Sequence, residues 1–251
     1  MTTDTGNKDS GKKAFTLAEV LITLGIIGVV AAMTIPALAT HLTHRKLQSQ
    51  FKKTYSDLNQ AARLFYAEEE SSVHDYDSFI SDSSSKNADN VLKKFMSYFK
   101  SQSKSSGSMW KSFDANANLT NLNLSGEEIS SYPCDQTAVY SILDGRLIAL
   151  DDTSTNYNYD HGPKICVDIN GIDKPNRWGY DRFVFVFTAD NAVVPYTGTS
   201  WSDLTKQYTD ETTIAQYCSY TLTQPAHSCA YFALNDKSPD GSGSYWYNFL
   251  K

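Results

Sequence analysis

Lys12-Lys13-Ala14-Phe15-Thr16-Leu17-Ala18-Glu19-Val20-Leu21-Ile22 opens a run that continues as TLGIIGVVAAMTIPALAT to Thr40, and its reading decides the fold. The 21 residues from Val20 to Thr40 carry no charge, and the hydroxyls of Thr23, Thr34 and Thr40 are their only polar side-chain groups. A helix of that length is roughly 30 Å long, the thickness of a bilayer's hydrocarbon core. Lys12 and Lys13 stand before it, and the first 14 residues carry Lys8, Lys12 and Lys13 against Asp4 and Asp9. That positive flank is expected to stay in the cytoplasm and to send the remainder outward.

A buried helix of a soluble protein would show a polar face, which this run lacks. A secretory signal peptide fits Ala37-Leu38-Ala39 as a cleavage site, but the apolar stretch exceeds the usual h-region of about 7–15 residues, and Glu19 sits just inside its start. A third reading accounts for Phe15, Glu19 and Pro36 together. The segment resembles the N-terminal processing and methylation segment of type IV pilins and type II secretion pseudopilins. The resemblance implies cleavage between Ala14 and Phe15, N-methylation at Phe15, an assembly role for Glu19 as the fifth mature residue, and Pro36 at the twenty-second. In that family the residue before the cut is usually Gly; Ala14 is small enough for processing to proceed.

The resemblance also implies partners: other pilin or pseudopilin subunits, a prepilin peptidase/methyltransferase, an inner-membrane assembly platform and the membrane itself. A carboxylate costs about 2.5–3.5 kcal/mol at the centre of a membrane helix and less near the interface, so Glu19 needs a reason to be there. The free amine of a neighbouring subunit's Phe15 would supply one and would set the axial register; the plain alternative is a side chain that snorkels to the headgroups. Pro36 removes one helical hydrogen bond and is expected to loosen or kink the helix.

The remainder of the 251 residues reads as an exported α+β head. With 22 Lys and Arg against 28 Asp and Glu the formal charge is −6, which disfavours nucleic acid as a partner. Leu47, Phe51, Tyr55, Leu58, Ala62 and Phe65 recur at steps of 3 or 4, so the helix is expected to continue amphipathically to about Glu70, near 80 Å from Phe15. Residues 71–136 read as a Ser-rich excursion with one short helix around Val91, Leu92, Phe95, Met96 and Phe99, followed by a flexible connector from Ser101 to Ser108. From residue 137 to 251 the period becomes that of strands. Ala138–Leu143 and Arg146–Leu150 flank Asp144-Gly145, which predicts a tight primed hairpin turn. Ile165–Ile169, Phe183–Thr188 and Ala192–Pro195 follow. The expected organisation is therefore a leader (1–14), a transmembrane assembly helix (15–40), its amphipathic continuation (41–70), the excursion (71–136) and a sheet of about four or five antiparallel strands (137–251). This α+β layout is also that of the pilin family.

The stretch from Ile165 to Phe185, with DxNG at Asp168–Gly171, resembles a segment of pseudopilin-like proteins. Oxygens at Asp168, Asn170 and Asp173 suggest a calcium site, yet the loop lacks the full DxDxDG spacing, and a turn held by side-chain bonds to its own backbone is the competing reading. No other cofactor is expected. The four cysteines, Cys134, Cys166, Cys218 and Cys229, all follow the apolar segment, as disulfides in an oxidising space would. Three connectivities are open; the short loop favours Cys218 with Cys229, which leaves Cys134 with Cys166. Zinc is disfavoured because no CxxC pair occurs. The segment from Cys218 through Cys229-Ala230-Tyr231-Phe232 resembles the C-terminal closing loop of pilin-like proteins. HExxH, GxGxxG and GxxxxGK[ST] are all lacking, and Gly241-Ser242-Gly243-Ser244 has no strand and helix around it, so the chain does not read as an enzyme. It reads as a filament subunit, a minor one by its length, with a single-pass anchored binding or adhesion module as the alternative.

Overall fold

The computed structural model describes residues 15–80, 85–99, 103–151, 161–198 and 207–251. The chain divides into two compact units, Met1–Thr43 and His44–Lys251. The first helix, α1 (Leu17–Glu69), runs through both and stays helical through Pro36. In the first unit its apolar residues are exposed all round, from Leu17 and Leu21 to Ile35 and Leu38. The hydroxyls of Thr23, Thr34 and Thr40 each donate to a carbonyl three or four residues back, at 2.9–3.1 Å. Every polar side-chain group of this run is thus satisfied within the helix, which a hydrocarbon environment demands.

In the second unit α1 becomes amphipathic. Leu47, Phe51, Leu58, Ala62 and Phe65 are buried, with Tyr55 half-buried beside them. Two more helices, α2 (Val73–Ile80) and α3 (Ser85–Ser97), follow; Val91, Leu92, Phe95 and Met96 of α3 enter the same core. The sheet is an antiparallel meander in the order β1 (Ser103–Met109), β2 (Ala138–Ile142), β3 (Leu147–Asp151), β4 (His161–Asp168), β5 (Arg182–Thr188) and β6 (Val193–Pro195), with α4 (Trp110–Asn116) between β1 and β2. Helices α5 (Glu211–Gln216) and α6 (Cys229–Asn235) and a π-helical turn at Tyr245–Phe249 close the head.

Period-2 alternation sorts the strands onto two cores. Phe183, Phe185 and Phe187 of β5, with Ile148, Leu150, Ile165 and Val167, face α1 and α3. Val184, Val186, Leu147, Ala149 and Cys166 face the other way, onto Trp110, Tyr132, Trp178 and Tyr196. Both faces of β3 and β5 are covered, which explains their unbroken apolar reading. Phe51 holds the centre of the helix side, with ring centroids 4.7 Å from Phe183, 5.7 Å from Phe185 and 5.5 Å from Trp246. The outer edge of β6 is closed by Asn59 of α1, whose side-chain amide exchanges two 3.1 Å hydrogen bonds with the backbone of Val193. An edge blocked in this way offers no template for a further strand.

Three features differ from the reading of the sequence. The sheet has six strands rather than four or five, because the expected flexible connector supplies β1: Ser103, Lys104 and Ser105 pair with Ile142, Ser141 and Tyr140, and Met109 with Ala138 after a register shift. Serine and glycine have poor strand propensity, so pairing with β2 rather than local preference makes this strand. Second, the β2–β3 turn is not a two-residue primed turn. Leu143, Asp144 and Gly145 form a three-residue loop closed by Gly145 N–H to the Ile142 carbonyl (2.9 Å), in which Gly145 alone has positive φ (+91°). Third, α2, α4, α5 and α6 were not expected from the pattern. Truncating the central ring, Phe51→Ala, is expected to cost about 3–5 kcal/mol in urea unfolding, whereas Leu64→Ala, at a site 40% exposed, should cost well under half of that.

Candidate functional site

The processing segment begins where α1 begins. Lys12, Lys13 and Ala14 lie outside the described residues; Phe15 is 85% exposed. Thr16 caps the helix: the Glu19 N–H donates to Thr16 Oγ1 (3.2 Å), while Glu19 Oε2 accepts from the Thr16 N–H and hydroxyl, both at 2.8 Å. This reciprocal pair is a capping box, which satisfies donors left open at the first turn. Sequence reasoning missed Thr16, although Thr16-Leu17-Ala18-Glu19 carries the capping-box signature in plain view. Glu19 is therefore bonded within its own chain, and Pro36, further along the apolar run, is exposed with its carbonyl taking the Thr40 hydroxyl at 3.1 Å.

The stretch from Asp168 to Arg182 is organised around a buried cation. Arg182 has no solvent exposure, and its guanidinium donates from Nε to Asp168 Oδ2 (2.8 Å) and from its two terminal nitrogens to both oxygens of Asp114 (2.7 and 2.9 Å), to Asn121 Oδ1 (3.2 Å) and to Asn176 Oδ1 (3.2 Å). All five of its N–H groups find an acceptor. It also lies over the Trp110 ring at 5.3 Å, and Tyr132 and Trp178 donate to Asp114 and Asn121. Asp181, equally buried, accepts from the N–H groups of Asn176 and Arg177 (2.9 and 2.6 Å) and from Asn170 Nδ2 (3.2 Å). Asp114 and Asn121, 68 and 61 residues from Arg182, are members that the sequence did not disclose.

This geometry bears on the calcium candidates. Asp168 is held by Arg182; Asn170 turns its amide nitrogen to the carbonyls of Asp173 and Lys174 (3.2 and 3.4 Å); and the Asp173 residue is exposed. No group of three or more His, Cys, Asp or Glu among the described residues is placed to hold a metal ion. Gly171 (φ +74°) lets this loop lie against the β2–β3 turn, since a Cβ there would come within 2.2 Å of the Gly145 carbonyl oxygen. Disulfides join Cys134 to Cys166 and Cys218 to Cys229. The first ties β4 to the segment preceding β2, and the second ties the region after α5 to the start of α6.

Burial in this cluster pushes the Asp168 carboxyl well above the ordinary carboxylate range and Asp181 up to about 6, against the pull of Arg182 and the backbone N–H groups. A carboxyl whose folded pKa is raised stabilises the fold fully below its unfolded value near 4 and loses that contribution as pH rises through its folded value. His227 works in the opposite sense: desolvation holds it down to about 4, so its contribution is lost as pH falls from 6.5 toward 4. The difference between wild type and Asp181→Asn isolates the carboxyl. On lowering the pH from 7 to 4.5, the melting temperature of the wild type should rise relative to that of Asp181→Asn; parallel melting curves across this range would refute the assignment.

Residues 9–35 match the family described as the prokaryotic N-terminal methylation motif. No curated protein and no solved structure matches the chain. The matched residues include Phe15, Glu19 and the Thr16 cap, and the apolar helix they open is long enough to cross a bilayer by length and composition. The pilin-type motif points to a structural subunit that interacts with other pilin subunits and a prepilin peptidase, and together with this helix it fits a single-pass, membrane-anchored protein. The chain thus carries a prepilin N-terminal segment of the type IV pilin and pseudopilin kind, followed by an α+β, pilin-like head.

Proposed function

We propose that the chain is a prepilin-like structural subunit that is cut between Ala14 and Phe15, N-methylated at Phe15, and assembled into a type II secretion pseudopilus or a type IV pilus-like filament. It enters the inner membrane with its N-terminus in the cytoplasm and its head outside, and it meets the assembly platform there. Its length favours a minor subunit. The observation that carries this reading is the methylation motif on a helix whose apolar residues are exposed on every side. An all-round apolar surface suits lipid before assembly and neighbouring helices afterwards. Lys12 and Lys13 retain the leader in the cytoplasm, and Pro36 gives the helix a point of local adjustment within the packed bundle. The two disulfides suit an oxidising space outside the cytoplasm. The alternative, a single-pass anchored binding or adhesion module, would use the same anchor without needing Glu19.

Mass spectrometry of the chain from native membranes is expected to show an N-methylated Phe15 as its first residue. An N-terminus at Thr40 would mean signal-peptidase cleavage, and an intact Met1 or Thr2 would favour the plain anchor. Glu19→Gln tests assembly separately from helix capping, because a glutamine oxygen still accepts from Thr16 while the charge that would pair with a neighbouring Phe15 amine is gone. It should lower the yield of sheared filaments about tenfold, the effect of about 1.4 kcal/mol lost per contact. Normal incorporation of Glu19→Gln would remove the register role.

A further inference from the structure

We draw no further inference here: the strongest candidate, the open cleft of about 680 Å³ that Lys111 and Ala115 of α4 form with Leu119, Glu128, Ile129 and Tyr132, carries nothing, because nothing in the structure shows what covers it.

Discussion

The head depends on one interaction, the burial of the Arg182 guanidinium. A charge moved out of water costs several kcal/mol unless its hydrogen-bonding groups are all met, and this cation meets them with acceptors drawn from four places in the chain. Asp114 ends up there because α4 follows β1, Asn121 because the next loop passes beside Trp178, Asp168 because it ends β4, and Asn176 because the β4–β5 loop folds back. The outer face of the sheet is thereby ordered by a polar hub set among tryptophans rather than by apolar packing alone. Asp181, one residue before Arg182, serves the same loop from inside by receiving two backbone N–H groups. Burial pushes the Asp168 and Asp181 carboxyls upward, against the pull of Arg182 on both.

A second clamp joins helix to sheet on the opposite side. Arg146, at the end of the β2–β3 turn, is buried and donates to Thr54 Oγ1 (2.9 Å), Asp57 Oδ2 (2.5 Å) and Asp144 Oδ1 (2.9 Å). Burial alone would raise the Asp144 carboxyl, but Arg146 and Lys53 outweigh it and hold it down to about 2. The turn, the strand pair and α1 are thus fixed to one another by a guanidinium while Phe51 and its ring partners supply the apolar contact next to it. Two buried arginines, one on each face, lock the sheet between its layers.

How far the sequence discloses this depends on range. The α1 stripe is legible because a 3.6-residue period over two dozen residues leaves little freedom, and β2 to β6 are legible because their apolar runs are bounded by turn residues. Strand β1 is illegible because Ser-Lys-Ser-Ser-Gly-Ser has no strand preference, and only β2 tells it what to do. Helices α4 to α6 have six or seven residues each, too few for a period to declare itself. Asp144-Gly145 announces a turn but not its length, which the pairing of Ile142 with Arg146 decides. In the processing segment, Phe15 and Glu19 are legible from the motif. The DxNG stretch is recognisable as individual, but its meaning requires Asp114 and Asn121, and nothing local in the chain connects them to Arg182.

The capping box alters how Glu19 should be understood. A carboxylate at the edge of an apolar helix is usually regarded as an unpaired charge waiting for a partner, yet here it already accepts two hydrogen bonds from Thr16 and completes the first turn of α1. That local use lowers the cost of holding the group near the hydrocarbon boundary in a single chain. It also sets a threshold for any partner amine, which must either displace the Thr16 donors or add to them on the second carboxylate oxygen. Glu19 Oε2 takes both Thr16 bonds, so Oε1 is left for a third, charge-assisted donor without loss of the cap. A subunit contact made through Oε1 would therefore strengthen the helix start and the assembly together, and the same carboxylate would serve the isolated chain and the filament in turn.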